Sequence, residues 1–406
     1  MSTLIATTVQ SVGVHELLPV VAVAALGAAA GTLAVLAANR GLLIPAVAIE
    51  LILGVIVGPQ VLGLEVTALT EFFKTVGLGL LFFFAGYEID FKRIRGGPLN
   101  RAGGGWVISL AIAYSAAALL AIAGVVISPL YTGSALATTA IGTLIPILSD
   151  SGELKTRLGT NLLAAGAVGE FGPILLLTLL LTTASPLSEA MLMALFIAVA
   201  VAVAMLAVRS SQQSVPLLQR SAELSSQIAV RWFFVLVLAL VLLAAKLHLD
   251  LLIGGFAAGM IARQMLGKAE SAVFESKLTA VAFGVFVPFF FVVSGQELDV
   301  ASLFVSASAM LKVPLFFLLF LVVRGTPALL LYKKELPQRD RVALAFFSST
   351  QLPLVLAITT VAHEAGQMRS TTAAALVSAA LLSTLFYPLA GLMVKRRDGS
   401  VAAAGP

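Results

Sequence analysis

Apolar stretches of about 20 residues follow one another along the whole of this chain, and that is the length an α-helix needs to cross the hydrocarbon of a bilayer. Thirteen such helices are predicted, at about 17–38, 42–58, 72–88, 104–126, 133–148, 158–183, 187–208, 229–247, 250–266, 279–297, 301–331, 341–364 and 371–394. The longest polar interval, about 209–228, is too short to build a hydrophobic core of its own. The expected fold class is therefore an all-α polytopic membrane protein, with residues 1–406 forming a single membrane domain and no soluble regulatory domain. Only 11% of residues are charged, against roughly 25% in soluble domains, so the lipid bilayer and not water is the expected surrounding. No basic segment precedes the stretch from Leu17, which reads as the first membrane helix and not as a cleaved signal peptide.

An odd number of spans puts the termini on opposite sides, and the basic residues say which side is which. Loops after odd-numbered helices carry 20 of the 25 Lys and Arg, among them Lys92, Arg93, Arg95, Lys333, Lys334, Lys395 and Arg396. The other side has only Lys74, Lys246, Lys312 and Arg369, and Arg324 falls inside helix eleven. The positive-inside rule then predicts an external N-terminus and a cytoplasmic C-terminus in the cell membrane. The net charge of +5 follows from this sidedness, so no nucleic-acid partner is expected. With no cysteine, and with His15, His248 and His363 lacking metal-ligand spacing, no resident cofactor is expected either.

Three segments recur at a displacement of seven helices. Gly86-Tyr87-Glu88-Ile89-Asp90 matches Gly295-Gln296-Glu297-Leu298-Asp299, and Gly54 and Gly58 pair with Gly255 and Gly259. Gly152-Glu153-Leu154-Lys155-Thr156 resembles Gly366-Gln367-Met368-Arg369-Ser370. An odd displacement inverts the second copy, so about 42–183 and 250–394 read as an inverted-topology repeat, an architecture that puts a transport site near the midplane between the repeats.

Glu170 stands in the middle of helix six. A carboxylate at that depth is tolerated when protonated, paired or hydrated, so one side chain can hold a proton and a cation in turn, which is the minimal device of an antiporter. Helix five carries Ser134, Thr138, Thr139 and Pro146, and its counterpart, helix twelve, contains Ser348-Ser349-Thr350-Gln351-Leu352-Pro353. Hydroxyls, an amide and a proline at membrane depth predict broken helices that line a cavity with hard oxygen donors, suited to sodium or potassium. Arg324 keeps its charge at any relevant pH and is expected to balance a carboxylate without carrying a proton itself. Glu50, beside a glycine-rich packing segment, is read as structural.

These residues resemble the monovalent cation:proton antiporter superfamily, particularly its Kef-type potassium/proton and Nap-type sodium/proton branch. The likeness covers nearly the whole chain: Glu50 through Gly63, Phe84 through Asp90, Val293 through Asp299, Thr138-Thr139-Ala140-Ile141 and Thr156-Arg157-Leu158-Gly159 all stand where that superfamily has its motifs. The resemblance implies an NhaA-like fold with two crossed broken helices, a transport domain moving against a dimerisation domain, and hence a homodimer. It also implies a paired Asp-Asp, Asn-Asp or Gln-Asp on the acidic helix, which here is Gly169-Glu170. Arg324 falls where electrogenic members carry a lysine, so exchange of one cation for one proton is expected. The nucleotide-binding domain that usually follows in Kef-type proteins is not expected, because the chain stops nine residues after Arg397.

The predicted function is exchange of Na+ or K+ for H+, with Glu170, Thr138, Thr139, Ser348, Ser349 and Gln351 binding the cation or proton and Arg324 balancing charge. The alternatives are a proton-coupled organic-anion transporter, in which Arg324 binds the substrate carboxylate, and a channel-like cation pathway. No nucleophile–base pair points to an enzyme.

Overall fold

The computed structural model describes residues 14–40, 44–87, 91–180, 251–265 and 276–396, with isolated positions between 199 and 242. All regular structure among the described residues is helical. In chain order the helices are α1 (Val14–Asn39), α2 (Ala46–Val57), α3 (Ala68–Tyr87), α4 (Phe91–Ile94), α5 (Gly97–Ile122), α6 (Pro129–Leu136) and α7 (Ile141–Asp150). They continue with α8 (Arg157–Leu180), α9 (Leu251–Met265), α10 (Val287–Glu297), α11 (Ala307–Leu331), α12 (Gln338–Ser348), α13 (Pro353–Glu364) and α14 (Ser370–Arg396). Six helical stretches among the described residues are long and apolar enough to cross a membrane. The predicted spans at 187–208 and 229–247 lie, apart from isolated positions, outside the described residues.

Local chemistry sets several boundaries that apolar length does not. The helix predicted over 301–331 starts at Ala307, because the Ser306 hydroxyl accepts the Ala309 amide at 3.2 Å and caps it, leaving a short 3-10 turn at Ala301–Phe304. Gly96 (φ 81°) and Gly124 (φ 71°) bracket α5 in the left-handed region, where a side chain would be strained. The stretch from 276 passes through a π-helical turn, Ala282–Phe286, before Pro288 enters the first turn of α10.

The chain divides into two compact units. The first comprises residues 1–80 and 278–298. Its α2 and α10 approach closely through glycine: a Cβ at Gly54 would run into the Val292 carbonyl, and one at Gly295 into the Leu51 carbonyl. Small residues give membrane helices this proximity, which dispersion then rewards. Val23, Phe289, Val292 and Val293 form the core beside it. Lys74, buried, donates to Glu297 at 2.7 Å and to Glu71 at 3.1 Å.

The second unit comprises residues 81–277 and 299–406. Here α5 packs against α6, α8 and α11, and α14 packs against α11 and α12. A core of Leu144, Leu148, Leu158, Leu162, Leu344 and Phe347 lies where α7, α8 and α12 meet. In this unit too a glycine pair brings helices together: a Cβ at Gly259 of α9 would meet the Phe83 carbonyl, and one at Gly86 the Phe256 carbonyl. Lys395, at the end of α14, bridges Asp340 at 2.7 Å and Glu153 at 3.4 Å. The helix predicted over 133–148 is split between α6 and α7, and that over 341–364 between α12 and α13.

Candidate cation and proton site

The two splits satisfy each other. Pro353 opens α13 without an amide proton to continue the ladder from α12. On the other segment, residues 137–140 leave the helix between Leu136 and Ile141. Unpaired backbone groups at membrane depth cost several kcal/mol each by transfer estimates of roughly 2–7 kcal/mol. Across the splits the Ala140 amide donates to the Thr350 carbonyl at 2.8 Å, and the Thr139 hydroxyl to the Ser348 carbonyl at 2.7 Å. The Thr138 hydroxyl lies against Gln351 Oε1 as well as the Ala135 carbonyl.

Helix α8 crosses beside the first split and is itself irregular. Pro173 has no amide proton for the Gly169 carbonyl one turn earlier, and that carbonyl instead accepts the Thr139 amide at 3.2 Å. The next residue, Glu170, is buried, and its Oε1 accepts the Ile141 amide at 2.8 Å. Ile141 is the first residue of α7, so the carboxylate faces the unpaired amides and positive dipole end of a helix. Its other oxygen, Oε2, is buried without a hydrogen-bond partner.

Arg324, on α11, is also buried, and each of its three nitrogens has a neutral acceptor. Nε donates to Thr139 Oγ1 at 2.8 Å, Nη1 to Ser109 Oγ at 3.2 Å and Nη2 to the Ala165 carbonyl at 3.1 Å. Among the described residues no carboxylate forms an ion pair with it, so the guanidinium holds the first split to α5, α8 and α11 and does not touch Glu170 as a direct counter-ion.

The second split is held by neutral groups. The backbone amide of Gln351 donates to Ser383 Oγ at 2.9 Å, and its backbone carbonyl accepts the Thr384 hydroxyl at 2.7 Å. Thr350 Oγ1 and Gln351 Nε2 are buried without partners, like Glu170 Oε2.

Of the residues predicted from sequence, Thr138, Thr139 and Gln351 meet at the splits with the Ser348 carbonyl, and Glu170 and Arg324 each touch the first split. Ser349 is different: its hydroxyl is taken by the Ala345 carbonyl of its own helix at 2.7 Å. Glu50 lies in α2 of the first unit, its Oε2 buried without a partner. Ser109, Ser383 and Thr384 hold the site together and were not foreseen; the available signal was a hydroxyl, or an adjacent pair, in an otherwise apolar helix.

Comparison with known proteins bears on this arrangement. A putative Na(+)/H(+) antiporter of Bacillus subtilis (strain 168), YjbQ, is 25% identical over 377 residues, covering 87% of this chain and 60% of the relative. The Na(+)/H(+)-K(+) antiporter GerN of Bacillus cereus is 27% identical over 265 residues, covering 63% of this chain and 65% of the relative. This chain thus spans less than two thirds of the length of either. The solved structure of the sodium proton antiporter MjNhaP1 from Methanocaldococcus jannaschii at pH 8 superposes with a TM-score of 0.66 at 15% identity. It covers 94% of this chain and 99% of that one, a likeness of fold. The family described as "Sodium/hydrogen exchanger, transmembrane" matches residues 8–394. A match over that span, on an all-helical chain with apolar helices of membrane length, means that this multi-pass membrane protein belongs to the transmembrane sodium/hydrogen exchanger family, whose members are transporters and not enzymes.

Proposed function

We propose that this protein exchanges a monovalent cation, Na+ or K+, for H+ at Glu170. The observation that carries the proposal is the state of that carboxylate: one oxygen is fixed by the Ile141 amide at a helix end, and the other is buried and uncommitted. An oxygen in that position accepts either a proton or a partly dehydrated cation, and the two exclude each other. Thr138, Thr139, the Ser348 carbonyl and Gln351, with Thr350 beside them, supply the hard oxygens around the splits. Ser349 belongs to the set through its place in the split, since its hydroxyl is engaged within α12. The names of the relatives support sodium, and that of GerN also potassium.

One carboxylate titrates at the site and Arg324 keeps its charge, which favours one cation for one proton and no net current. The organic-anion alternative needs a guanidinium open to a carboxylate, whereas Arg324 is buried and already donates three of its five N–H groups, one from each nitrogen, to Thr139, Ser109 and the Ala165 carbonyl.

The wider architecture follows the same reading. The glycine contacts of the two units match in kind: Gly54 and Gly295 in one, Gly259 and Gly86 in the other. They support the inverted repeat of 42–183 and 250–394, with Gly54 equivalent to Gly259 and not to Gly255, one helical turn along. Thirteen spans, a homodimer, an external N-terminus, a cytoplasmic C-terminus and a single domain in the cell membrane complete the proposal.

The test is reconstitution in liposomes with a pH-sensitive dye, with sodium and then potassium added to wild type and to Glu170→Gln. Cation-evoked proton movement lost in the variant is the expected result. Competition for one oxygen also requires the cation KM to rise about tenfold per unit fall in pH on the acid side. A KM indifferent to pH, or a glutamine variant that still exchanges, defeats the shared-site mechanism.

A further inference from the structure

The family resemblance leads one to expect a polar side chain before the acidic residue of α8, and this chain has Gly169. A Cβ built there would lie 2.6 Å from Arg324 Nη2, 2.9 Å from Thr139 Oγ1 and 3.0 Å from Thr139 Cβ. Even the methyl of alanine would have to displace one of these groups: Nη2 is the far end of the arginine side chain but is held by the Ala165 carbonyl, and Thr139 is held through its amide and its hydroxyl.

Thr139 is held at three points: its amide by the Gly169 carbonyl, its hydroxyl proton by the Ser348 carbonyl, and its hydroxyl oxygen by Arg324 Nε. Arg324 is held by Thr139, Ser109 and the Ala165 carbonyl, and Ser109 in turn donates to the Val323 carbonyl at 2.9 Å. A planar fork with donors at fixed angles suits this role, and an ammonium on a flexible stem does not reproduce it.

We propose that Gly169 and Arg324 are a matched pair: the guanidinium occupies the space that a side chain at 169 would fill, and from there it positions Thr139. Through Thr139 it ties both splits to the helix that carries Glu170. Arg324 is thus a positioning residue, built into the crossing and permitted there by the glycine. The transport consequences rest on the exchange reading above; the packing consequence does not.

A double-mutant cycle tests it, with wild type, Gly169→Asn, Arg324→Lys and the double variant. Asparagine can offer Thr139 Oγ1 an amide donor in place of Nε, and lysine keeps the charge while vacating the space. Two quantities are read on each protein: the melting temperature in detergent, and cation-evoked proton movement resolved into KM and maximum rate. Gly169→Asn alone is expected to melt lower and to lose about tenfold or more in rate, as contacting residues that share one space do. Arg324→Lys alone is expected to raise the cation KM several-fold, more than it lowers the maximum rate, because it loosens Thr139 without adding bulk. The double variant is expected to melt above Gly169→Asn and to recover roughly tenfold of its lost rate. Failure of Gly169→Asn to accumulate while the double variant does so carries the same meaning.

Additive melting shifts, or a Gly169→Asn protein that melts and transports like wild type, overturn the pair. If wild type moves no cation, the exchange reading falls and the melting cycle still decides the pairing.

Discussion

The hydroxyl of Thr139 donates to one split and accepts from Arg324, so its removal touches both partners at once. In Thr139→Ala the Ser348 carbonyl and the Arg324 Nε would each be buried without a partner, at a cost of about 1–3 kcal/mol for each group. The variant is expected to melt several degrees below wild type in detergent and to exchange more slowly, whereas Thr139→Ser, which keeps the hydroxyl, stays close to wild type. An alanine protein that melts with wild type would mean that water or a rotated neighbour satisfies the guanidinium. Glu170 was legible in the sequence because an acid in an apolar stretch needs a reason to be there, and Arg324 for the same cause. Hydroxyls were less legible. Most of them in membrane helices bond to their own preceding turn, as Thr326 does to the Val322 carbonyl at 2.6 Å and Ser349 to that of Ala345. Ser109, Ser383 and Thr384 have the same local sequence character, and only the packing of α5 against α11 and of α14 against the second split distinguishes them.

At the scale of elements, proline acts twice at the site, by two routes. Pro353 marks the start of α13, and the sequence announces it, since a proline after Ser-Ser-Thr-Gln cannot prolong the helix before it. Pro173 lies within α8 without ending it, and its effect is displaced by one turn, to a Gly169 carbonyl that becomes available to Thr139. Replacing it by alanine returns an amide to that carbonyl and sets the helix against the split for the same acceptor. Pro173→Ala is therefore expected to yield a folded protein of equal or higher melting temperature whose exchange rate falls roughly tenfold, equivalent to about 1.4 kcal/mol of barrier. A variant that transports at the wild-type rate would show that the amide of Thr139 does not depend on this carbonyl. The first split has no proline at the break itself, since Pro146 lies inside α7, so Thr138, Thr139 and Pro146 predict a broken helix there without marking the residue at which it breaks. The π turn at Ala282–Phe286 had no readable signal, because one extra residue in a helix changes no apolar pattern.

For the whole molecule, the proposed orientation rests on the charge pattern, and some of the charges counted in it are paired. Lys74 is one of only four basic residues assigned to the external side, and its charge is matched by Glu71 and Glu297, so the unmatched positive charge on that side is smaller than the count suggests. Lysines of the opposite side also pair, as Lys395 does with Asp340 and Glu153, but among the described residues Arg95, Lys333 and Lys334 stand exposed there, against Arg369 alone on the proposed external side. The absence of cysteine makes the arrangement directly testable, since any single introduced thiol is the only one that can react. Arg95→Cys, Gln213→Cys and Gln367→Cys would each be exposed in turn to a membrane-impermeant maleimide, before and after permeabilising right-side-out vesicles. The thirteen-span topology requires Gln367→Cys to be labelled at once, and the other two only after permeabilisation. Gln213 is the decisive position, because it lies between the apolar stretches 187–208 and 229–247. If neither stretch crosses, positions 95 and 367 keep their sides while 213 is labelled from outside, where the helix ending near 183 leaves the chain. Labelling of 95 from outside and of 367 only after permeabilisation would reverse the whole orientation, and with it the side from which the cation reaches Glu170 against the proton.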